Sequence, residues 1–282
     1  MSSEMSEQTP FCTLSYLDLR VQELPVLRHT RQLLDEAREH MEVVNARDLS
    51  RIVAQDPLLA VRMITHSKVT RGLGRALHNE ISTIGSSIIM MGVEPFLHAF
   101  DNLKSLEEIL QRNAPHALLE ALKTISRSRN AANYAHRFAL WRVDPDIQEI
   151  TLAALLYDLA EILLYVLEPL QAMKVRAMLK ANPGLRSVDA QKEVLGCTLA
   201  DVQLQLCRNW KLPDLLLQLI DGRKTDNPKV KNVSLAVIFA RHLANGWDDP
   251  AIPSDLSEIA KFLNTDMDTL ENRLKIFQPP EV

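Results

Sequence analysis

Apolar residues recur along the whole chain at the three- and four-residue spacing that is typical of helices. No stretch alternates apolar and polar residues for long enough to favour a β-strand. The pattern therefore predicts an all-α protein made of roughly a dozen short helices. One apolar stripe contains Leu33, Leu34 and Ala37, and a denser one contains Leu152, Leu155, Leu156, Leu159, Ile162, Leu163 and Val166.

Polar residues that cap helices mark several predicted starts. Asn45 with Asp48 three residues later is typical of a capped helix with an acidic residue in its first turn. Asp56-Pro57, Asp144-Pro145 and Asn227-Pro228 each place a capping side chain before a proline, which suits the first position of a helix.

The most apolar part of the chain, residues 152–167, is interrupted by Asp158 and Glu161. It is too short and too charged to favour a membrane span, and it predicts a single buried core helix. Asp158 should therefore be at least partly buried, and a buried carboxylate needs hydrogen-bond donors. An arginine partner or a bond to Tyr157 is expected.

A polar stretch at 101–116 predicts a boundary between two sets of apolar helices. We expect a flexible N-terminal segment over 1–22, an N-terminal helical lobe over 23–112, and a second lobe with C-terminal helices over 113–282. Because the connecting helices would pack tightly, the two lobes should share one continuous core.

Composition narrows the class of protein. Apolar residues make up 46% of the 282 positions, which favours a packed core, while only eight glycines and 5% aromatic residues disfavour an all-β fold. A net charge of −4 disfavours a protein that coats nucleic acid. The N-terminus lacks the apolar segment of a signal peptide. With no CxxC pair among Cys12, Cys197 and Cys207, we expect reduced thiols and a cytoplasmic protein.

The residues that could support catalysis are sparse. None of the eight histidines precedes an aspartate, and no two are spaced to bind one metal from one helix face. His136 could approach Asp158 in space, although a surface histidine is the more usual outcome. The pair Gly72 and Gly74 does not follow a predicted strand, so it favours a loop over a dinucleotide site. The sequence thus predicts no catalytic residue, no metal and no cofactor.

One basic stretch could bind a ligand. Lys123 and Arg127 lie one helical turn apart, and Ser126 and Ser128 stand beside Arg127. Guanidinium and hydroxyl groups together suit a phosphate. The alternative is an ordinary solvated helix face.

Several segments together resemble a known family. Residues 52–59, Ile-Val-Ala-Gln-Asp-Pro-Leu-Leu, form the most specific of them; Leu24-Pro25, His66-Ser67 and the helix at 83–92 support it. Over about 22–245 the chain resembles HDOD domains, which are bacterial signalling relatives of the HD phosphohydrolases. The resemblance implies an N-terminal helical lobe packed with a degenerate HD-like helical lobe.

In the HD enzymes an adjacent His-Asp pair binds a divalent metal that activates water. Here Tyr157 stands at the position of that histidine, and tyrosine has no imidazole nitrogen to bind a metal. Asp158 is the one carboxylate that remains, and one carboxylate is too few to hold a metal ion. The family's Gly-Lys pair falls on Ala160-Glu161, and a later His-rich segment falls on 221–224. The metal-binding positions of the family fall here on Arg127, Tyr157, Asp158 and Leu199.

The resemblance therefore implies a non-enzymatic signal-transduction or protein-interaction module, a pseudoenzyme of the bacterial cytoplasm. Its implied partners are kinases, response regulators or cyclic-dinucleotide enzymes acting in trans; no oligomeric state follows from the sequence. One alternative is a sensor that binds a nucleotide or cyclic dinucleotide in the vestigial cleft through Lys123 and Arg127. A less favoured alternative is a residual metal-dependent phosphohydrolase.

Overall fold

The computed structural model describes residues 19–69, 83–223 and 226–275 of the chain. These residues form sixteen α-helices and a 3-10 helix at Val21–Glu23, with no β-strand among them, which confirms the all-α prediction. The helices are α1 Arg28–Glu39, α2 Ala46–Val53, α3 Pro57–Val69, α4 Ile84–Met91, α5 Val93–Ala99, α6 Leu106–Asn113, α7 Pro115–Trp141, α8 Ile147–Leu156, α9 Leu159–Leu167, α10 Pro169–Ala181, α11 Ser187–Leu195, α12 Leu199–Asn209, α13 Asp214–Asp221, α14 Pro228–Leu243, α15 Ile252–Leu263 and α16 Met267–Lys275.

Three of the four helix starts predicted from capping residues are correct. Asn45 caps α2 and forms a capping box with Asp48, while Pro57 and Pro228 are the first residues of α3 and α14. The expectation for Asp144-Pro145 is wrong, because α8 begins only at Ile147. Asp144 instead accepts a hydrogen bond from the backbone N–H of Asp146, which forms a turn before the helix.

Asp56 joins the beginnings of two helices. Its fully buried carboxylate accepts hydrogen bonds from the backbone N–H of Leu27 at 2.7 Å, of Leu58 at 2.9 Å and of Leu59 at 3.2 Å. The first donor precedes α1 and the other two open α3, so one side chain satisfies backbone groups of both. Burial raises the pKa of Asp56, against the opposing effect of these donors.

Helix α7 is the central element of the second half of the chain. It packs against α8, α9 and α14, and a buried stripe of small residues along it lets these helices approach closely. One cluster of buried apolar side chains extends from Val21 to Leu274, so helices before and after residue 113 share a core. The division into lobes at 112–113 stays a prediction. The small buried residues of the stripe are Ser128, Ala131, Ala132, Ala135 and Ala139.

The apolar run at 152–167 is not one helix, which corrects the sequence prediction. Helix α8 ends at Leu156 and α9 begins at Leu159, so Tyr157 and Asp158 form a break between them. Both helices are nonetheless buried, as expected. Within the described ranges, the segment Ile147–Leu167 is long enough and apolar enough to cross a membrane. However, 78% of its most apolar part is buried inside the fold.

Two cysteines lie among the described residues, and both are buried. Cys207 is a free thiol, and burial raises its pKa to about 12. The expectation of reduced thiols stays a prediction for the other cysteines. Cys12, the Gly72–Gly74 segment and the N-terminal residues 1–18 lie outside the described residues.

Candidate functional site

The break between α8 and α9 is held by a glutamine from a distant helix. Gln203 of α12 is buried; its Nε2 donates to the Leu156 carbonyl at 2.9 Å, and its Oε1 accepts from the Ala160 N–H at 2.7 Å. These are backbone groups that an uninterrupted helix would have paired internally. Because Gln203 satisfies them, the Asp158 side chain makes no capping bond and is available for other partners.

Asp158 lies between two arginines. Arg127 of α7 donates from Nε to Asp158 Oδ2 at 3.0 Å and from Nη2 to Glu161 Oε2 at 2.7 Å. Arg241 of α14 donates from Nη2 to the other Asp158 oxygen, Oδ1. We call these four side chains, Arg127, Asp158, Glu161 and Arg241, the ion cluster. The structure thus gives Asp158 the arginine partner that the sequence analysis expects.

The ion cluster is neutral and mostly buried. Its two guanidinium groups balance its two carboxylates, and exposure rises from 5% for the side chain of Asp158 through 19% for Arg127 and 27% for Glu161 to 44% for Arg241. A buried charge needs such pairing, because desolvation alone would cost several kcal/mol per ion.

The pKa values of the two carboxylates of the ion cluster are shifted in opposite directions. Burial alone would raise the pKa of Asp158, but the charges of Arg241 and Arg127 and their hydrogen bonds outweigh it and hold that pKa below its ordinary value. Burial raises the pKa of Glu161, and the negative charge of Asp158 adds to this effect. The arginines therefore lower the pKa of Asp158 but do not offset the two effects that raise the pKa of Glu161.

Tyr157 stands beside the ion cluster. The Arg241 guanidinium lies 5.8 Å from the centre of its ring, a cation–π contact. Its hydroxyl is 3.4 Å from where a Cβ at Gly222 would be, so the end of α13 lies against the tyrosine. Gly222 has a φ of +67°, which suits the left-handed end of a helix. Burial raises the pKa of Tyr157.

The remaining predicted positions have other partners. Leu199, half-buried at the start of α12, donates its N–H to Gln191 Oε1, and Gln203 one turn later is the α12 side chain that reaches the break. Lys123 is 3.3 Å from the Glu120 carboxylate and is largely exposed. His136 Nδ1 lies 3.2 Å from Thr151 Oγ1 on a different surface of α7 and α8.

A family match over most of the chain decides its family. The family model for the HDOD domain matches residues 24–225. The chain belongs to the HDOD domain family. That membership confirms the resemblance seen in the sequence. No curated protein matches the chain by sequence.

Solved structures share the fold of this HDOD chain. One is the MmoQ response regulator from Methylococcus capsulatus str. Bath, with 14% identity, a TM-score of 0.65, and coverage of 89% of this chain and 97% of that one. Another is a virulence factor from Campylobacter jejuni subsp. jejuni, with 20% identity, a TM-score of 0.62, and coverage of 92% and 97%. At these identities the likeness shows the fold alone.

The residues present do not fit the metal of the HD enzymes. In the described ranges, no group of three or more His, Cys, Asp and Glu side chains is arranged to hold a metal ion. The position expected to carry the upstream histidine carries Arg127, whose guanidinium already binds both carboxylates of the ion cluster. A divalent cation would have to displace two arginines and would find too few ligands.

The sequence analysis did not identify Arg241 or Gln203 as residues of this HDOD site, and it did not assign a role in the site to Glu161. Arg241 comes from α14, 83 positions after Asp158, and none of the segments that carry the family resemblance includes it. Gln203 lies within a half-buried helix and has no motif around it. Glu161 gave the clearest signal, because it lies three residues after Asp158 on the same apolar segment and shares its need for a cation.

Proposed function

We propose that this chain is a non-enzymatic signal-transduction and protein-interaction module of the HDOD type. The observation that supports this most strongly is the ion cluster, in which Asp158, at a metal-binding position of the family, and its neighbour Glu161 are both bound to guanidinium groups. HDOD domains are degenerate relatives of the HD phosphohydrolases. In this one, arginine side chains bind the carboxylates that a metal would need as ligands.

Hydrolysis of the HD type requires a metal with an open coordination position for water. Arginine has five donors and no acceptor, and it stays protonated at any physiological pH. It can neutralise Asp158 and Glu161, but it cannot deliver a hydroxide ion or act as a base. With Arg127 in this position, the cluster supports structure and not turnover.

The cluster also has a structural role. Arg127 belongs to α7, Asp158 and Glu161 to the break and first turn of α9, and Arg241 to α14. Removing one member would leave a buried charge unpaired, whereas the intact set links three helices. A surface built on helices fixed in this way is suited to presenting a constant shape to a protein partner.

The proposed partners are kinases, response regulators or cyclic-dinucleotide enzymes of a bacterial cytoplasm, acting in trans. This follows from the signalling role of the family. One structural neighbour, from Methylococcus capsulatus, is itself described as a response regulator.

A nucleotide or cyclic-dinucleotide sensor is the second candidate. The observation in its favour is Arg241, the most exposed member of the ion cluster at 44%, which lies at the edge of the site beside Tyr157. Phosphate could reach this guanidinium only in competition with Asp158. Calorimetric binding of a cyclic dinucleotide that is lost in Arg241→Gln, with an unchanged thermal melt, would favour the sensor over the interaction module.

The interaction module predicts saturable binding to at least one protein. The purified chain would be titrated by biolayer interferometry against the kinases, response regulators and cyclic-dinucleotide enzymes encoded in its own genome. We expect one or more to bind with an affinity that EDTA does not change, because no metal takes part in the recognition surface. Failure of every candidate to bind, together with metal-dependent hydrolysis of a phosphodiester, would contradict the proposal.

A further inference from the structure

A concave site lies away from the ion cluster. It is a cleft of about 370 Å³ between α2 and α4 on one side and α7 and α8 on the other, and we call it the α2–α8 cleft. None of the four residues of the ion cluster lines it. A volume in this range is that of a small-molecule site, and such sites are commonly found where two sets of elements meet.

The walls of the α2–α8 cleft are mainly apolar. Ile84 and Ile89 of α4 face Leu152 and Leu155 of α8, and Ala54 contributes at the end of α2. Apolar surface of this kind gains free energy when it is removed from water. The cleft therefore suits the hydrocarbon or aromatic part of a ligand.

The polar side chains that line the cleft include the positive charge of Arg47. Among the residues that the structure describes, its lining contains Arg47, Ser50, His136, Gln148 and Thr151 but no aspartate or glutamate. Arg51, one turn further along α2, pairs with Asp48 at 3.6 Å, whereas the guanidinium of Arg47 has no ion pair with any residue that the structure describes. An unneutralised arginine beside an apolar wall is complementary to an anionic group.

We propose that the α2–α8 cleft binds a small organic carboxylate with an apolar body. The body packs between the α4 and α8 side chains, and the carboxylate accepts hydrogen bonds from the Arg47 guanidinium. Gln148, which is exposed at the same cleft, offers a further donor. The residues that line the α2–α8 cleft and the residues of the ion cluster do not overlap. This site is therefore independent of the proposed interaction function.

Gly85 provides a way to close the cleft without unfolding the protein. It lies in α4, and a Cβ added there would be 3.8 Å from Ser50 Oγ and 3.9 Å from Gln148 Oε1, both ordinary contact distances. A small side chain is therefore tolerated, and alanine also favours the helix. A phenylalanine at the same position would extend into the cleft and occupy it.

The test uses 4-phenylbutanoate and its neutral analogue, 4-phenylbutanamide, titrated into the full chain and followed by saturation-transfer difference NMR. We expect saturable binding of the carboxylate with a dissociation constant in the micromolar to millimolar range. The amide should bind about tenfold more weakly, because it cannot form the charge-assisted hydrogen bond with Arg47. Arg47→Gln should weaken carboxylate binding by about tenfold. Arg51→Gln, the matched control, should leave it unchanged.

Gly85→Phe should abolish binding of both compounds, while Gly85→Ala should retain it. Both variants are checked by thermal melt and circular dichroism, so that loss of binding is separated from loss of fold. The proposal is overturned if neither compound binds saturably, if the amide binds as tightly as the carboxylate, or if Gly85→Phe binds like the parent chain.

Discussion

Replacing Asp158 with alanine is expected to lower the free energy of unfolding by about 3–5 kcal/mol, the cost of breaking a buried ion pair by removing one partner. Arg127 and Arg241 would lose the carboxylate that both contact, and Arg127 would remain largely buried. For a chain of this size the thermal midpoint should fall by roughly 10 °C. Differential scanning calorimetry of the purified proteins measures the change.

The matched control is Asp189→Ala. Asp189 pairs with Arg186 on the surface, where 41% of the aspartate side chain and 80% of the arginine side chain are exposed. Exposed pairs contribute little because water and salt screen them, so this variant should melt with the parent chain. If Asp158→Ala also melts with the parent chain, the ion cluster does not stabilise the fold.

The same side chain gives the stability a predicted pH dependence. Asp158 has a lowered pKa in the folded protein, so its contribution is present above the unfolded value of about 4 and is lost as the pH falls through the folded pKa. The difference in unfolding free energy between the parent chain and Asp158→Asn should therefore be largest near neutral pH. It should shrink as urea unfolding is repeated at pH values below about 4.

Asp56→Ala is expected to be almost as damaging, at about 3 kcal/mol, because three backbone N–H groups lose one buried acceptor. Each of these groups lies at the start of α1 or α3, so both helices should loosen together. Urea unfolding followed by circular dichroism would show a lower midpoint. Asp56→Asn, which retains an acceptor oxygen, should lie between the parent chain and the alanine variant.

A suitable comparison for Asp56 is Asp48→Ala in the neighbouring helix. Asp48 completes a capping box at the more exposed start of α2, and the loss of such a cap costs about 1 kcal/mol. Equal effects of the two substitutions would mean that burial of the Asp56 carboxylate does not matter, contrary to the structure.

Asp56 also gives residues 52–59, the segment that most specifically resembles the family, a structural role. The aspartate caps α3 and accepts the Leu27 N–H, which links this block to the Leu24-Pro25 segment seen beside it in the sequence. The most recognisable motif of the chain is thus a structural junction. Its recognition from sequence predicted the fold correctly and said nothing about the residues that act at the site.

The helices were predictable because their periodicity and capping residues are local properties of the chain. The pairing of Arg127 with Asp158 was also predictable, since a buried carboxylate needs a cation and the family positions bring the two together. The break at Tyr157–Asp158 was not, because its backbone groups are satisfied by Gln203, more than forty residues later. Arg241 was missed for the same reason, since its contact with Asp158 spans 83 positions.

We propose that arginine takes the place of a metal ion at the family's metal-binding positions in this chain. Elemental analysis by mass spectrometry of the full chain, purified without added metal and again after incubation with Mn²⁺ and gel filtration, tests it most directly. The ion cluster predicts far less than one transition-metal ion per chain in both samples, because Arg127 and Arg241 already bind the available carboxylates. Stoichiometric manganese, iron or zinc that is lost in Asp158→Asn would contradict the claim.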